Sequence, residues 1–68
     1  MSTTVKVIEL VGNSNESWED AARNALQDAD ETLEEIRGIE LVSQTATVED
    51  GEIDSYRATV HVSFELQR

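Results

Sequence analysis

The sequence predicts a single α+β domain over residues 1–68, in which a three-stranded antiparallel sheet wraps around one long helix. Three observations predict this β-α-β-β order. An apolar run, TVKVIELVG, comes first, and a long amphipathic stretch follows it. Two alternating runs then flank one turn signal, Asp50-Gly51. Segments of these types in this order favour a sheet packed on one helix.

The first strand is predicted at residues 4–12. Its apolar side chains alternate between two faces, with Val5, Val7 and Val11 on one and Ile8 and Leu10 on the other. Apolar residues on both faces are typical of a strand that is covered on both sides. We therefore expect a second surface to cover the face that the helix does not reach.

The helix is predicted within residues 13–38. Ser14 is the expected N-cap, and Ser17 followed by Asp20 offers a later start. One apolar stripe is formed by Trp18, Ala22, Ala25, Ala29, Leu33 and Ile36. At about 1.5 Å per residue the helix would be roughly 33 Å long. Trp18 is expected in the core.

Two strands are predicted at residues 39–49 and 52–66, joined by a type I′ turn at Asp50 and Gly51. The last strand is expected at the centre of the sheet. One face of it carries Tyr56, Ala58, Val60, Val62, Phe64 and Leu66. This strand would be roughly 50 Å long, so the sheet would extend beyond the end of the shorter helix. Three apolar residues, Ile39, Leu41 and Ile53, are therefore expected to be buried between subunits.

Composition excludes several classes of function. The chain has no cysteine, so disulfides and cysteine zinc sites are excluded, and oligomerisation is the expected support for so small a core. A net charge of −10 argues against nucleic acid and anionic membranes as partners. We expect a soluble, cytoplasmic protein. The acidity, with one lysine, fits a halophilic host and an ordinary solvated surface equally well.

Four segments, VKVIELVG, SNESWEDAARNAL, IRGIELVSQ and VEDGEIDSYRATVHVSFEL, resemble the dodecin family along nearly the whole chain. The resemblance implies a hollow homododecamer that stores a flavin or flavin-like molecule, such as riboflavin, FMN or FAD, without catalysis. In flavin-binding dodecins a tryptophan at the position of Gly38 stacks on the flavin ring. Gly38 therefore implies weakened flavin affinity. The resemblance also implies ligand contacts at Gln44 and Arg57.

Two of these positions have alternative interpretations from the residues alone. Gly38 would be the left-handed residue of a Schellman helix ending, with Arg37 as C-cap and Ile39 packed on Leu33. Arg57 would form an ion pair with Asp54 or Glu40 on an exposed strand face. Neither alternative requires a ligand.

The resemblance also implies an alternative ligand, because some dodecins without the tryptophan look like calcium-binding proteins. Calcium binding suits this acidic chain. A calcium or magnesium site would draw on Glu40, Asp50, Glu52 and Asp54 across subunits. The alternative is that these carboxylates are a solvated turn and strand edge. His61 and Ser63 share a strand face, but no third orienting group is apparent, so the chain is expected not to be an enzyme.

Overall fold

The computed structural model describes residues 4–66, and their elements follow the predicted β-α-β-β order. The elements are β1 (Val5–Ser14), α1 (Trp18–Thr32), β2 (Ile36–Glu49) and β3 (Glu52–Glu65). The strands form one antiparallel sheet in the order β1-β3-β2. The predicted fold class and the central position of the last strand are thus confirmed. No helix among residues 4–66 is long and apolar enough to cross a membrane.

The turn between β2 and β3 has the predicted geometry. Asp50 and Gly51 both adopt positive φ, 55° and 78°, and Glu49 pairs with Glu52 across the turn. Two consecutive residues of positive φ define a type I′ turn, whose twist matches that of the flanking strands. The local Asp-Gly signal was therefore sufficient to place the hairpin.

The core lies between α1 and the two strands β1 and β3. It consists of Ala21, Ala25, Ala29, Ala58, Val60 and Val62. These small side chains let the helix approach the sheet closely. A Cβ atom on Gly12 would lie 2.0 Å from the carbonyl oxygen of Ala21, so only glycine fits at this point of β1. The close approach is thus fixed by backbone as well as by side chains.

The buried stripe of α1 differs from the predicted one. Ala21 is buried and Ala22 only half-buried, so the stripe is rotated toward Ala21. The prediction that Trp18 belongs to the core is wrong. Trp18 is half-buried at the start of α1, where its ring meets Tyr56 edge-on at 4.8 Å between centroids. Its indole Nε1 donates a hydrogen bond of 2.7 Å to the carbonyl oxygen of Thr45, which ties the helix to β2.

The helix begins at the later of the two predicted positions. Ser17 is the N-cap, and its Oγ accepts a 3.0 Å hydrogen bond from the backbone N–H of Asp20. Ser14 instead ends β1, where its buried Oγ donates to Asp20 Oδ2 at 2.7 Å and accepts from the N–H of Glu16. The expectation that Ser14 caps the helix is therefore wrong.

The helix ends six residues before Gly38. Leu33 is the C-cap, and Glu35 adopts the left-handed conformation with φ of 60°. The last turn of α1 carries no basic residue, so the helix dipole opposes extension through the acidic segment that follows. The carbonyl of Glu35 accepts a 3.1 Å hydrogen bond from the N–H of Glu65, which holds the turn against β3.

Gly38 lies inside β2 and its φ is not positive. The Schellman ending, with Arg37 as C-cap and Ile39 packed on Leu33, is therefore wrong. Ile36, predicted on the helix, is the first residue of β2 and still packs against the core.

The protomer is elongated. The 15 residues of α1 span about 22 Å. The 14 residues of β3 span roughly 46 Å. The Cα radius of gyration is 14.1 Å, whereas a compact chain of this length has about 11 Å. The sheet therefore projects beyond the helix, as predicted, and Ile39, Leu41 and Ile53 are exposed.

Candidate ligand and cation sites

Gly38 lies on the outer face of the sheet, which we define as the face turned away from α1. It pairs there with Ser63, whose Oγ donates a 3.3 Å hydrogen bond to the Gly38 carbonyl. A shallow concavity of about 270 Å³ surrounds the pair, lined by Val7, Gly38, Ile39, Glu40, His61 and Ser63. None of these lining residues is a Phe, Tyr or Trp. The concavity offers an imidazole, a hydroxyl and a carboxylate, but no indole or phenyl ring on which a flavin could stack.

The structure does not bring Gln44 to this concavity within one chain. Gln44 pairs with Ala58, which is buried beneath α1, so Gln44 lies on the helix side of the sheet. Residues 38 and 44 would share a face in a regular strand, but the bulge between Leu41 and Ser43 reverses the alternation. Gly38 and Gln44 of one chain therefore face opposite directions.

Arg57 is on the outer face but far from Gly38. It lies six residues before Ser63 on β3, which corresponds to about 20 Å. Its Nε donates a 3.2 Å hydrogen bond to Asn13 Oδ1. The alternative prediction of an ion pair with Asp54 or Glu40 is wrong for the described residues. Arg57 and the Gly38 concavity can serve one ligand only if different copies contribute them.

Three of the four predicted cation ligands lie together at the end of the β2–β3 hairpin. A concavity of about 410 Å³ is lined there by Glu49, Asp50, Glu52, Ile53 and Asp54. Glu40 lies nine residues before Glu49 on β2, roughly 30 Å away. Within residues 4–66, no three His, Cys, Asp or Glu side chains converge closely enough to hold a metal ion. A cation at the hairpin would therefore need ligands from more than one chain.

A row of three side chains crosses the outer face, and sequence reasoning missed it. His61 on β3 pairs with Glu9 of β1 and with Glu40 of β2. Its Nε2 lies 2.9 Å from Glu9 Oε1, and its Nδ1 lies 3.7 Å from Glu40 Oε1. Each ring nitrogen thus faces a carboxylate from a different strand. The available signal was the central position of β3, but the register of both neighbours was needed to use it.

The charged guanidinium of Arg37 is paired with two carboxylates beside the Gly38 concavity. Its Nε donates a 3.0 Å hydrogen bond to Glu65 Oε2, and its Nη2 is paired with Glu35. The hydrogen bond to Glu65, followed by the negative charge of Glu35, raises the pKa of Arg37 above its ordinary value. The guanidinium is therefore engaged in joining the start of β2 to the end of β3.

A family comparison decides the classification of the chain. The family model described as Dodecin matches residues 4–67. This chain belongs to the dodecin family. A calcium dodecin from Mycobacterium tuberculosis (strain ATCC 25618 / H37Rv) is 36% identical over 62 residues, which cover 91% of this chain and 87% of that protein. A dodecameric assembly is consistent with this family.

Solved dodecin structures match the whole protomer. A Thermus thermophilus dodecin, crystallised as a tryptophan-to-phenylalanine mutant, gives a TM-score of 0.94 at 30% identity and covers 98% of this chain and 100% of that one. The Streptomyces davaonensis dodecin gives 0.94 at 31% identity, with 100% of both chains covered. The Mycobacterium tuberculosis calcium dodecin gives 0.82 at 37% identity, covering 94% and 91%. Of these three structures, the Thermus thermophilus and Streptomyces davaonensis dodecins are more similar to this chain in backbone, whereas the calcium dodecin is more similar in sequence.

Proposed function

We propose that this dodecin assembles into a hollow homododecamer that holds a small ligand without catalysing a reaction. The observation that carries the proposal is the amount of apolar side chain left uncovered in one chain. Nine large apolar residues are 43% to 68% exposed: Val5, Val7, Val11, Ile39, Leu41, Val42, Val48, Ile53 and Leu66. Membership of a family of ligand-storing proteins supports the non-catalytic part.

The energetic argument for assembly is direct. Fully burying one Val, Leu or Ile contributes about 1.5 to 3 kcal/mol, and these side chains are about half exposed. Covering all of them would contribute on the order of 10 kcal/mol per chain. The core of a chain this small rarely supplies more than roughly 3 to 5 kcal/mol. This gross gain, from which the entropic cost of association must be subtracted, is large enough to make association a substantial source of stability for the chain.

For the ligand, we propose a flavin-like molecule that is held only weakly. The concavity at Gly38 has no Phe, Tyr or Trp side chain, and a pair of such aromatic rings contributes about 0.5 to 1.5 kcal/mol beyond area burial. Glu40 lies on its rim, so the phosphates of FMN and FAD meet a carboxylate of like charge there. Uncharged riboflavin is the flavin best suited to this surface.

The variant Gly38→Trp tests this ligand proposal. The strand accepts a side chain at this position because φ is not positive and the nearest atom to a new Cβ is Ser63 Oγ at 3.2 Å, which can rotate away. We expect weak quenching of riboflavin fluorescence by the parent and submicromolar quenching by Gly38→Trp. Ser43→Trp, on the same face of β2, is the matched control. Equal quenching by the two variants, or submicromolar quenching by the parent, would contradict the proposal.

A second candidate function is the binding of calcium or magnesium at the hairpin ends. It is favoured by the carboxylates of Glu49, Asp50, Glu52 and Asp54 around one concavity. The 36% identity to a protein named calcium dodecin also supports it. Several copies would have to supply the six to eight oxygen ligands that Ca²⁺ prefers.

Thermal unfolding separates cation binding from simple charge screening. Millimolar CaCl2 should raise the melting temperature of the assembly more than NaCl of equal ionic strength, because a specifically bound ion stabilises the folded state. Glu52→Gln should reduce the extra increase, whereas Glu31→Gln, which removes the same charge from the exposed side of α1, should not. If the two salts raise the melting temperature equally, charge screening alone explains the effect and specific cation binding is contradicted.

A further inference from the structure

We propose that the hairpin arm of one copy docks into the groove between α1 and β2 of a neighbouring copy. The arm is defined as residues 47–55. The groove is defined as the concavity lined by Glu19, Ala22, Arg23, Leu26 and Ile39. This inference rests on the proposed assembly and names two surfaces that meet in it. Because these are different surfaces of the same chain, the contact is heterologous.

The arm projects beyond the rest of the protomer. Its base is Tyr56, which pairs with Ser14, the last residue of β1. The ring of Tyr56 also meets Trp18, the first residue of α1. Since Ala21 packs on Gly12, α1 runs back along β1 and away from the arm. The arm therefore reaches about 17 Å past this row to the turn. A two-stranded hairpin is marginally stable alone, so the arm needs a covering surface.

One face of the arm is apolar. Val48 and Ile53 pair directly across the two strands, so their side chains lie side by side on one face. Val48 is the most exposed of the nine large apolar residues, at 68%. The opposite face is polar, and on it Thr47 Oγ1 lies 2.8 Å from Ser55 Oγ. The arm thus presents a protruding apolar pair that its own chain leaves uncovered.

The groove is a recess that matches this pair. It has a volume of about 180 Å³, and its apolar lining is formed by Ala22, Leu26 and Ile39. Ile39 lies on the helix side of the sheet, since it pairs with the buried Val62. It is nevertheless 43% exposed, because α1 packs mainly on β1 and β3 rather than on β2. An arm in the groove would cover apolar surface on both copies.

Charge favours this groove over the other available surfaces. The arm has no basic residue and carries four acids, Glu49, Asp50, Glu52 and Asp54. Arg23, on the rim of the groove, pairs with Glu19 through an exposed contact that contributes little, so it can also meet a carboxylate of the arm. The concavity at Gly38 instead presents Glu40, which would repel the arm. Two arms placed face to face would repel each other in the same way.

The symmetry of a twelve-copy assembly requires a heterologous contact. Every closed arrangement of twelve identical copies has a rotation axis of threefold or higher order, and neighbours around such an axis meet through two different surfaces. The partner surface must belong to another copy. Leu26 lies about 12 Å along α1 from the end that meets the base of the arm. Ile53 lies about 10 Å beyond that end. One chain therefore cannot place its own arm in its own groove.

The test is chemical crosslinking between introduced cysteines, because the chain has none of its own. In the variant Leu26→Cys/Ile53→Cys, a short bis-maleimide added to the assembled protein in EDTA should link neighbouring copies into covalent dimers, trimers and larger species. Ile53→Cys/Glu31→Cys is the matched control and should stay uncrosslinked on a denaturing gel. Glu31 is exposed and lies roughly 140° around α1 from Leu26, away from the groove. EDTA removes any calcium that could bring the acidic arms together.

The outcomes separate the docking from the assembly. Crosslinking in Ile53→Cys alone would show that two arms meet each other and would overturn the proposal. Absence of crosslinks in Leu26→Cys/Ile53→Cys, at an unchanged native mass, would overturn the docking and leave the proposed assembly intact. A monomeric parent protein would overturn both.

A second measurement needs only single variants. The arm is covered in the proposed assembly, so the thiol of Ile53→Cys should react with a maleimide at least about 10-fold more slowly than that of Glu31→Cys. Urea sufficient to unfold the protein should remove the difference. Equal rates in the native assembly would show that the arm is exposed to solvent and would overturn the proposal.

Discussion

Replacing Gly12 with alanine tests whether the closest contact between α1 and β1 holds the fold together. The new Cβ would lie 2.0 Å from the carbonyl oxygen of Ala21 and 3.0 Å from Ala25 Cβ. The first distance is about 1 Å below the shortest contact that real Cβ atoms make, and the oxygen belongs to the helix backbone. The helix must therefore shift, since no side chain can rotate to relieve the overlap.

The cost follows from this overlap. Overpacking a well-packed core costs typically about 1 to 3 kcal/mol, and a clash with backbone belongs at the upper end. In a domain of this size each kcal/mol lowers the melting temperature by roughly 4 to 8 °C, so a loss of at least about 12 °C is expected. Circular dichroism at one fixed protein concentration measures it, because assembly makes the melting temperature concentration-dependent.

Gly38→Ala is the matched control, since its Cβ would meet only the side-chain oxygen of Ser63 at 3.2 Å. That oxygen can rotate, and a shift of a few degrees at most is expected for this variant. A melting temperature of Gly12→Ala within a few degrees of the parent would refute the reasoning. Equal losses in the two variants would refute it as well.

Three further predictions concern local structure and salt. Trp18→Phe removes the 2.7 Å hydrogen bond to the Thr45 carbonyl and should cost about 1 kcal/mol in thermal unfolding; an unchanged melting temperature would show that this bond contributes nothing. Gly51→Ala forces an alanine to a φ of 78° and should cost roughly 1 to 2 kcal/mol; Ser43→Ala, on an exposed part of β2, should cost little, and equal effects would argue against strain at the turn. The net charge of −10 predicts that the melting temperature rises between dilute buffer and molar KCl; a constant or falling value would contradict the halophilic interpretation.

The strands and the hairpin could be predicted because their signals are local. Alternation of apolar and polar residues defined β3, and the Asp50-Gly51 dipeptide fixed the turn. The sequence offered the observed N-cap, Ser17, as one of two helix starts, but the choice between them and the helix C-terminus could not be predicted, because both depend on tertiary contacts. Ser14 has the chemistry of an N-cap, but its hydroxyl bonds to the Asp20 carboxylate. Glu35 adopts a conformation that the sequence assigned to glycine, and its carbonyl is held by β3.

The candidate sites were predicted less well than the fold, because they depend on strand register. Gly38 and Gln44 are six residues apart, so their side chains would point to the same face of a regular strand. The bulge between Leu41 and Ser43 places them on opposite faces. No residue pattern in the sequence marks that bulge. The contacts of His61 with Glu9 and Glu40 require the register of both outer strands at once. The sequence could therefore place each of these residues on a strand, but could not say which of them meet.

Native mass spectrometry or multi-angle light scattering of the purified protein tests the central claim most directly. The exposed apolar residues predict association, and membership of the dodecin family gives the expected copy number of twelve. Twelve copies of the 7.6 kDa chain should form one species of about 91 kDa that persists at micromolar concentration. A folded 7.6 kDa species as the main component at that concentration and in high salt would contradict it.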